Sequence, residues 1–208
     1  MSSRSAVALI AAIYFTASPA SALPINSVSP PASPFILAQA TDTNAQIYIF
    51  RGAANVFSLG MDELGNKLQG LGYHPHVSNW KFWSSAADAI IANYQNGQRS
   101  PVILIGHSLG ANALFMVAEK LRAQHIPVDY MAAFDPTKPA TLPSNVLRFV
   151  NYYQASGMGR KISAPPGYRG EMINVDLSDR PNISHGNMDE AAKLHELIIG
   201  KIQQITTR

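Results

Sequence analysis

The stretch VILIGHSLGA, residues 102–111, decides how the rest of the chain is read. Val102, Ile103, Leu104 and Ile105 form a continuous apolar run between Pro101 and Gly106, suited to a strand covered on both faces. From Leu109 to about Ala123 the pattern turns helical, with Leu114, Val117, Ala118 and Leu121 on one stripe. Between the two lies Gly106-His107-Ser108-Leu109-Gly110, a G-x-S-x-G turn of the kind called a nucleophile elbow. Such a turn strains the serine backbone, and side chains at 106 or 110 would strike the neighbouring helix or strand. It lifts the Ser108 hydroxyl above the sheet edge and aims the positive end of the helix dipole at the same point.

Outward from this turn, strands and helices alternate. AQIYIF (45–50) reads as a strand and RGAANVFS (51–58) as a loop, with Ser58 capping a helix to about Gly70. A short strand is expected over 74–79. A helix capped by Ser84 or Ser85 should follow and end at Gly97. After the elbow helix, VDYMAAFD (128–135), VLRFVNYYQ (146–154) and MINVDL (172–177) are strands, and a closing helix spans roughly 188–204. The alternation predicts an α/β fold: a mostly parallel central sheet with helices on both faces.

Composition narrows the chemistry. The 208 residues include no cysteine, which excludes disulfides, thiolate nucleophiles and Cys-ligated metals. The formal charge of +3 is scattered, without a basic run, so no nucleic-acid partner is expected. No H-E-x-x-H is present and no G-x-G-x-x-G opens a helix after the first strand; neither metal nor cofactor is expected.

The N-terminus has Arg4, an apolar run from Ala6 to Ala17, and Ala20-Ser21-Ala22, the order of a secretory signal peptide (1–22) cleaved after Ala22. The run is shorter than the ~20 residues of a membrane span. An exported protein, periplasmic or extracellular, with no stable membrane span after cleavage is therefore expected. Residues 23–41 hold Pro24, Pro30, Pro31 and Pro34 and read as a linker, so the folded domain is set at 42–208.

With GHSLGA on this scaffold, the chain from about residue 45 onward resembles the α/β-hydrolase superfamily, particularly its lipase- and thioesterase-like members. The resemblance implies a compact α/β-hydrolase fold, here without a large lid domain, and an order Ser…Asp…His. Serine needs a base within hydrogen-bond reach. His74 and His76 precede the elbow, His125 lies in a helix-to-strand connection, and His107 beside the serine reads as structural. His195 falls on the apolar stripe of the closing helix. His185 lies in the loop after the last strand, where the family places its base, and is the choice.

The family's commonest acid position, here within 154–171, offers no aspartate. Asp135, in a DP turn after the strand following the elbow, resembles an alternative used by some lipases of the superfamily. Asp176 and Asp179 remain as fallback acids. For an oxyanion hole the resemblance implies the backbone N–H of Leu109 and one from the loop after the first strand, with Ala53 chosen and Ala54 and Asn55 close behind.

The implied activity is hydrolysis of carboxylic esters or thioesters through an acyl-enzyme on Ser108, the substrate being a small-molecule or lipid-like acyl compound. Acyl transfer to another acceptor and a non-catalytic binding domain are the alternatives. NWKFW (79–83), Phe57 and Tyr152-Tyr153 are candidate linings of an acyl groove.

Overall fold

The computed structural model describes residues 43–53 and 59–207. The expected signal peptide and linker, the Ser58 cap and Phe57 all lie outside the described residues.

Six strands form one sheet: β1 (Gln46–Arg51), β2 (His76–Asn79), β3 (Val102–His107), β4 (Tyr130–Phe134), β5 (Arg148–Tyr153) and β6 (Glu171–Asp176). Their order is β2-β1-β3-β4-β5-β6, and every pairing is parallel. The helices are α1 (Leu59–Gly70), α2 (Trp83–Gln95), α3 (Leu109–Arg122) and α4 (Ala192–Thr206). This is the α/β architecture expected.

Side-chain alternation along the strands makes two cores. Ile47, Ile49, Ile103, Ile105 and Phe134 pack with Met61, Leu64 and Leu68 of α1 and with Leu194, Ile198 and Ile202 of α4. Tyr48, Phe50, Val102, Leu104 and Met131 pack on the other face with Ala87 and Ile90 of α2 and Leu114, Val117 and Leu121 of α3. The continuous apolar run of β3 follows from this: all six of its residues are buried because helices cover both sides. Chain direction along the sheet reverses between β1 and β3, and in open parallel sheets the crevice at the carboxyl ends beside such a reversal is where ligands bind.

Several elements differ from the sequence reading. Neither Ser84 nor Ser85 caps α2. A 3₁₀ turn at Trp80–Phe82 runs straight into the helix, and Asn79 caps that turn by accepting the Lys81 N–H at 3.0 Å. The first amide of α2 is thereby bonded back to the Trp80 carbonyl, which leaves a serine cap without a task. The closing helix is also broken. Met188–Glu190 form a separate 3₁₀ turn, Ala191 is extended, and α4 starts at Ala192. That break lets Met188 and Asp189 turn into the core, both with 0% exposure. The connections after β4 and β5 carry no helix, and no large lid stands among the described residues.

Candidate active site

The elbow has the predicted geometry. Ser108 sits between β3 and α3 with φ 57° and ψ −118°, a backbone conformation L-residues rarely adopt. A Cβ on Gly106 would lie 2.6 Å from the Gly110 carbonyl, and one on Gly110 would lie 2.1 Å from the Phe50 oxygen. Glycine at both positions is therefore a steric requirement, set by the helix in the first case and by the end of β1 in the second. Ser108 is tied to the next strand through its N–H, which donates to the Phe134 carbonyl at 2.9 Å.

His185, from the loop after β6, spans the distance between the serine and an acid. Its Nε2 lies 3.0 Å from Ser108 Oγ and its Nδ1 lies 2.6 Å from Asp135 Oδ2. Asp135 follows β4 and is fully buried, also with positive φ (52°). Its carboxylate is satisfied on both sides, since Oδ1 accepts the Gln154 N–H at 2.8 Å. A buried carboxylate acts as an acceptor only, so His185 Nδ1 carries the proton and Nε2 is left to accept from the serine hydroxyl. The His185 ring keeps 24% exposure, while the acid behind it keeps none.

The other histidines stand elsewhere. His195 is fully buried, donating from Nε2 to the Asp189 carbonyl and accepting at Nδ1 from Lys67 Nζ at 3.1 Å; burial lowers its pKa. His76 stacks on Tyr48 at the start of β2. His125 occupies a positive-φ turn after α3. The fallback acids are remote in role: exposed Asp176 accepts from Ser178 and the Ala155 amide, and Asp179 pairs with Arg180 on the surface.

Leu109 opens α3, whose N-terminus carries no side-chain cap. The seat of Gly110 against Phe50 and Arg51 brings that N-terminus to the end of β1, just before Ala53. Ala54 and Asn55 lie outside the described residues.

Residues without a sequence signature complete the site. Gln154, the first residue past β5, binds Asp135 through its amide and holds the His185 loop by donating from Nε2 to the Ile183 carbonyl at 2.6 Å. A Cβ on Gly159 would lie 1.9 Å from Asp135 Oδ1, so backbone alone fits beside the acid. Behind His185, the His107 Nε2 donates to the His185 carbonyl at 2.7 Å, and the His107 Nδ1 lies 3.6 Å from Asp189 Oδ1. Burial depresses His107 to about 4 and raises Asp189 to about 7. The amides of Gly60 and Met61 favour the ionised Asp189, yet neither of its oxygens closes a full hydrogen bond.

The expected acyl-groove lining is corrected in part. Tyr152 and Tyr153 are 6% and 7% exposed, and Tyr152 packs on Phe134 in the α1/α4 core, its edge lining a cleft over β5, β6 and α4 rather than the one at Leu109. Trp83 packs against the opposite core. Of the aromatic cluster, Trp80 does line a cleft beside the elbow, of about 360 Å³. Among the described residues, no cluster of three or more His, Asp or Glu is placed to hold a metal, and no helix is long and apolar enough to cross a membrane.

Ser108, Asp135 and His185 thus meet at the carboxyl edge of a parallel sheet, an α/β-hydrolase-like fold by its own strand order and elbow. No family model matches the chain, and no curated protein matches it. Among solved structures it is similar to a protein of Xanthomonas campestris pv. campestris described as a hydrolase of the alpha/beta superfamily. The two are 14% identical over 74% of this chain and 98% of that one, with a TM-score of 0.39. It is also similar to BorB, the type II thioesterase from the borrelidin biosynthetic cluster, at 9% identity over 79% of this chain and 95% of that one, with a TM-score of 0.45.

Proposed function

We propose that the protein is an exported serine hydrolase that cleaves carboxylic esters or thioesters through an acyl-enzyme on Ser108. The observation that carries this reading is the single imidazole of His185 in hydrogen-bond reach of both Ser108 Oγ (3.0 Å) and Asp135 Oδ2 (2.6 Å). In the first step Ser108 Oγ bonds to the acyl carbon while its proton passes to His185 Nε2. The bond to the alcohol or thiol then breaks, and the leaving atom takes that proton. Water repeats the sequence on the acyl-enzyme and releases the acid. Asp135 holds the Nδ1–H tautomer and stabilises the imidazolium while it lasts.

The N–H groups of Leu109 and Ala53 are the proposed donors to the oxyanion. The approach of the α3 N-terminus to the end of β1 supports that pairing, and losing one such donor typically costs about 3 kcal/mol of transition-state stabilisation. Export rests on the pattern of residues 1–22; a secreted form beginning at Leu23 by N-terminal sequencing is its test.

A fluorophosphonate probe tests the chemistry. Labelling of the purified protein, lost in Ser108→Ala together with hydrolysis of p-nitrophenyl esters, is expected. No labelling at any pH between about 6 and 9 would instead favour a binding domain that keeps the fold without the reaction.

A further inference from the structure

The cleft beside the elbow lies on one side of the serine, and the base lies on the other. Leu109, Ala113 and Met116 of α3 form one wall, facing Trp80 and the Pro139-Ala140 segment after β4. Their spacing puts them on one helical stripe that descends from the residue next to the nucleophile. Seven residues at 1.5 Å each make this wall roughly 10 Å long. The cleft belongs to the face covered by α2 and α3. His185 comes from the opposite face: the side chain of His107, which holds its carbonyl, alternates in register with Ile103 and Ile105, and these pack against α1 and α4.

The chemistry of the preceding subsection makes this division meaningful. The leaving group must stand beside His185 to receive its proton, so the part of the substrate that stays on Ser108 points the other way. On that reading, we propose that the cleft between α3, Trp80 and the Pro139 segment receives the acyl chain, as an unbranched hydrocarbon of limited length, with Met116 as the gauge at its far end. The polar group inside is already committed. Asn112 donates from Nδ2 to Thr137 Oγ1 at 2.8 Å and accepts the N–H groups of Thr137 and Lys138 at 3.0 and 3.1 Å. Those bonds pin the far wall to α3 and occupy the Asn112 oxygen, so that Leu109, Ala113, Met116, Pro139 and Ala140 leave a mostly apolar lining suited to hydrocarbon. Lys138 stands exposed among the lining residues, where its ammonium remains hydrated.

The test uses two ester series on the intact protein. With p-nitrophenyl esters, kcat/KM should rise about fourfold per acyl methylene until the chain reaches Met116, then level off. Met116→Trp, at a position 43% exposed where the fold tolerates bulk, should lower the octanoyl-to-butyryl ratio at least tenfold, about the effect of closing off two methylenes. The ratio is read on variant protein whose Ser108 labels with fluorophosphonate as fully as in the unsubstituted protein, so misfolding cannot pass for an unmoved ratio. With ethyl, butyl and hexyl butyrates, the dependence on alcohol length should be shallow and unchanged by Met116→Trp. A ratio that does not move, or a change confined to the alcohol series, overturns the assignment of the cleft while fluorophosphonate labelling of Ser108 still upholds the hydrolase. Absence of labelling in the unsubstituted protein overturns both.

Discussion

His107 and His185 lie side by side, with ring centroids 5.1 Å apart, and are joined through the backbone: His107 Nε2–H donates to the His185 carbonyl at 2.7 Å. The bond spans 78 positions of sequence and closes the β6–α4 loop onto the end of β3. The residue next to Ser108 therefore sets where the His185 ring can stand.

Removing that donor leaves a carbonyl without its partner, a change worth about 1–3 kcal/mol. His107→Phe should reduce kcat on a p-nitrophenyl ester by roughly 10- to 100-fold and displace the acidic limb of the kcat/KM pH profile, because the loop that orients His185 is loosened. His107→Gln, which keeps a donor, should recover most of the rate. A loss in Tm with no shift in the pH profile would reduce His107 to a packing residue.

The buried pair behind the base makes a second, sharper prediction. Asp189, ordinarily near 3.8, is raised to about 7, so the folded protein holds a proton the unfolded chain has lost, and its contribution falls as pH rises from about 4 to 7. His107, ordinarily near 6.5, is lowered to about 4, so here the unfolded chain holds the extra proton and stability rises over about 4 to 6.5. The two slopes oppose each other. Relative to the unsubstituted protein, Asp189→Asn should make stability climb with pH across this window, and His107→Gln should make it decline, each by up to about 1.4 kcal/mol per pH unit. Urea unfolding midpoints at a series of pH values read this directly; parallel curves for all three proteins would count against it.

Asp135→Asn should cut kcat by about four orders of magnitude, as loss of the correct imidazole tautomer does elsewhere. Asp176→Asn should change it only a few-fold, since that exposed carboxylate binds Ser178 and the Ala155 amide rather than the base. The reverse ranking in steady-state kinetics would move the acid to Asp176.

The two glycines near Gln154 offer a matched comparison. Gly159→Ala places a methyl 1.9 Å from Asp135 Oδ1 and 2.7 Å from the Gln154 amide, inside the hydrogen bond between them. At Gly157 the nearest atom to such a methyl is 3.7 Å away, an ordinary contact. The first substitution should lower kcat at least 100-fold and reduce Tm; the second should leave both within twofold or a degree or so. Equal effects would show that Asp135 does not depend on the Gly159 backbone.

The central strands and the elbow were legible because their signals are local. Val102–Ile105 is apolar without a break, and Gly106 stands where the helix four residues on demands it, although the demand on Gly110 comes from Phe50 at the distant end of β1. Asp135 and His185 followed from position relative to strands, aided by the family resemblance. The roles of Gln154, Gly159 and Asp189 were not legible, because each is defined by a partner on another loop that no periodicity foretells. The cap at Ser84 or Ser85 failed for a related reason: serine has cap propensity, but Asn79 had already started a 3₁₀ turn that fed the helix. Aromatic residues misled most, since Tyr152 and Tyr153 are as suited to a core as to a groove, and burial decides which.

The serine rises from the interior of the sheet, on a strand whose six residues are all buried, whereas the imidazole hangs from β6, an outermost strand half open to solvent with Ile173 45% exposed. Warming frays margins before middles. Reversible loss of esterase activity below the Tm is the expected outcome, read by assaying the protein on heating and again after cooling.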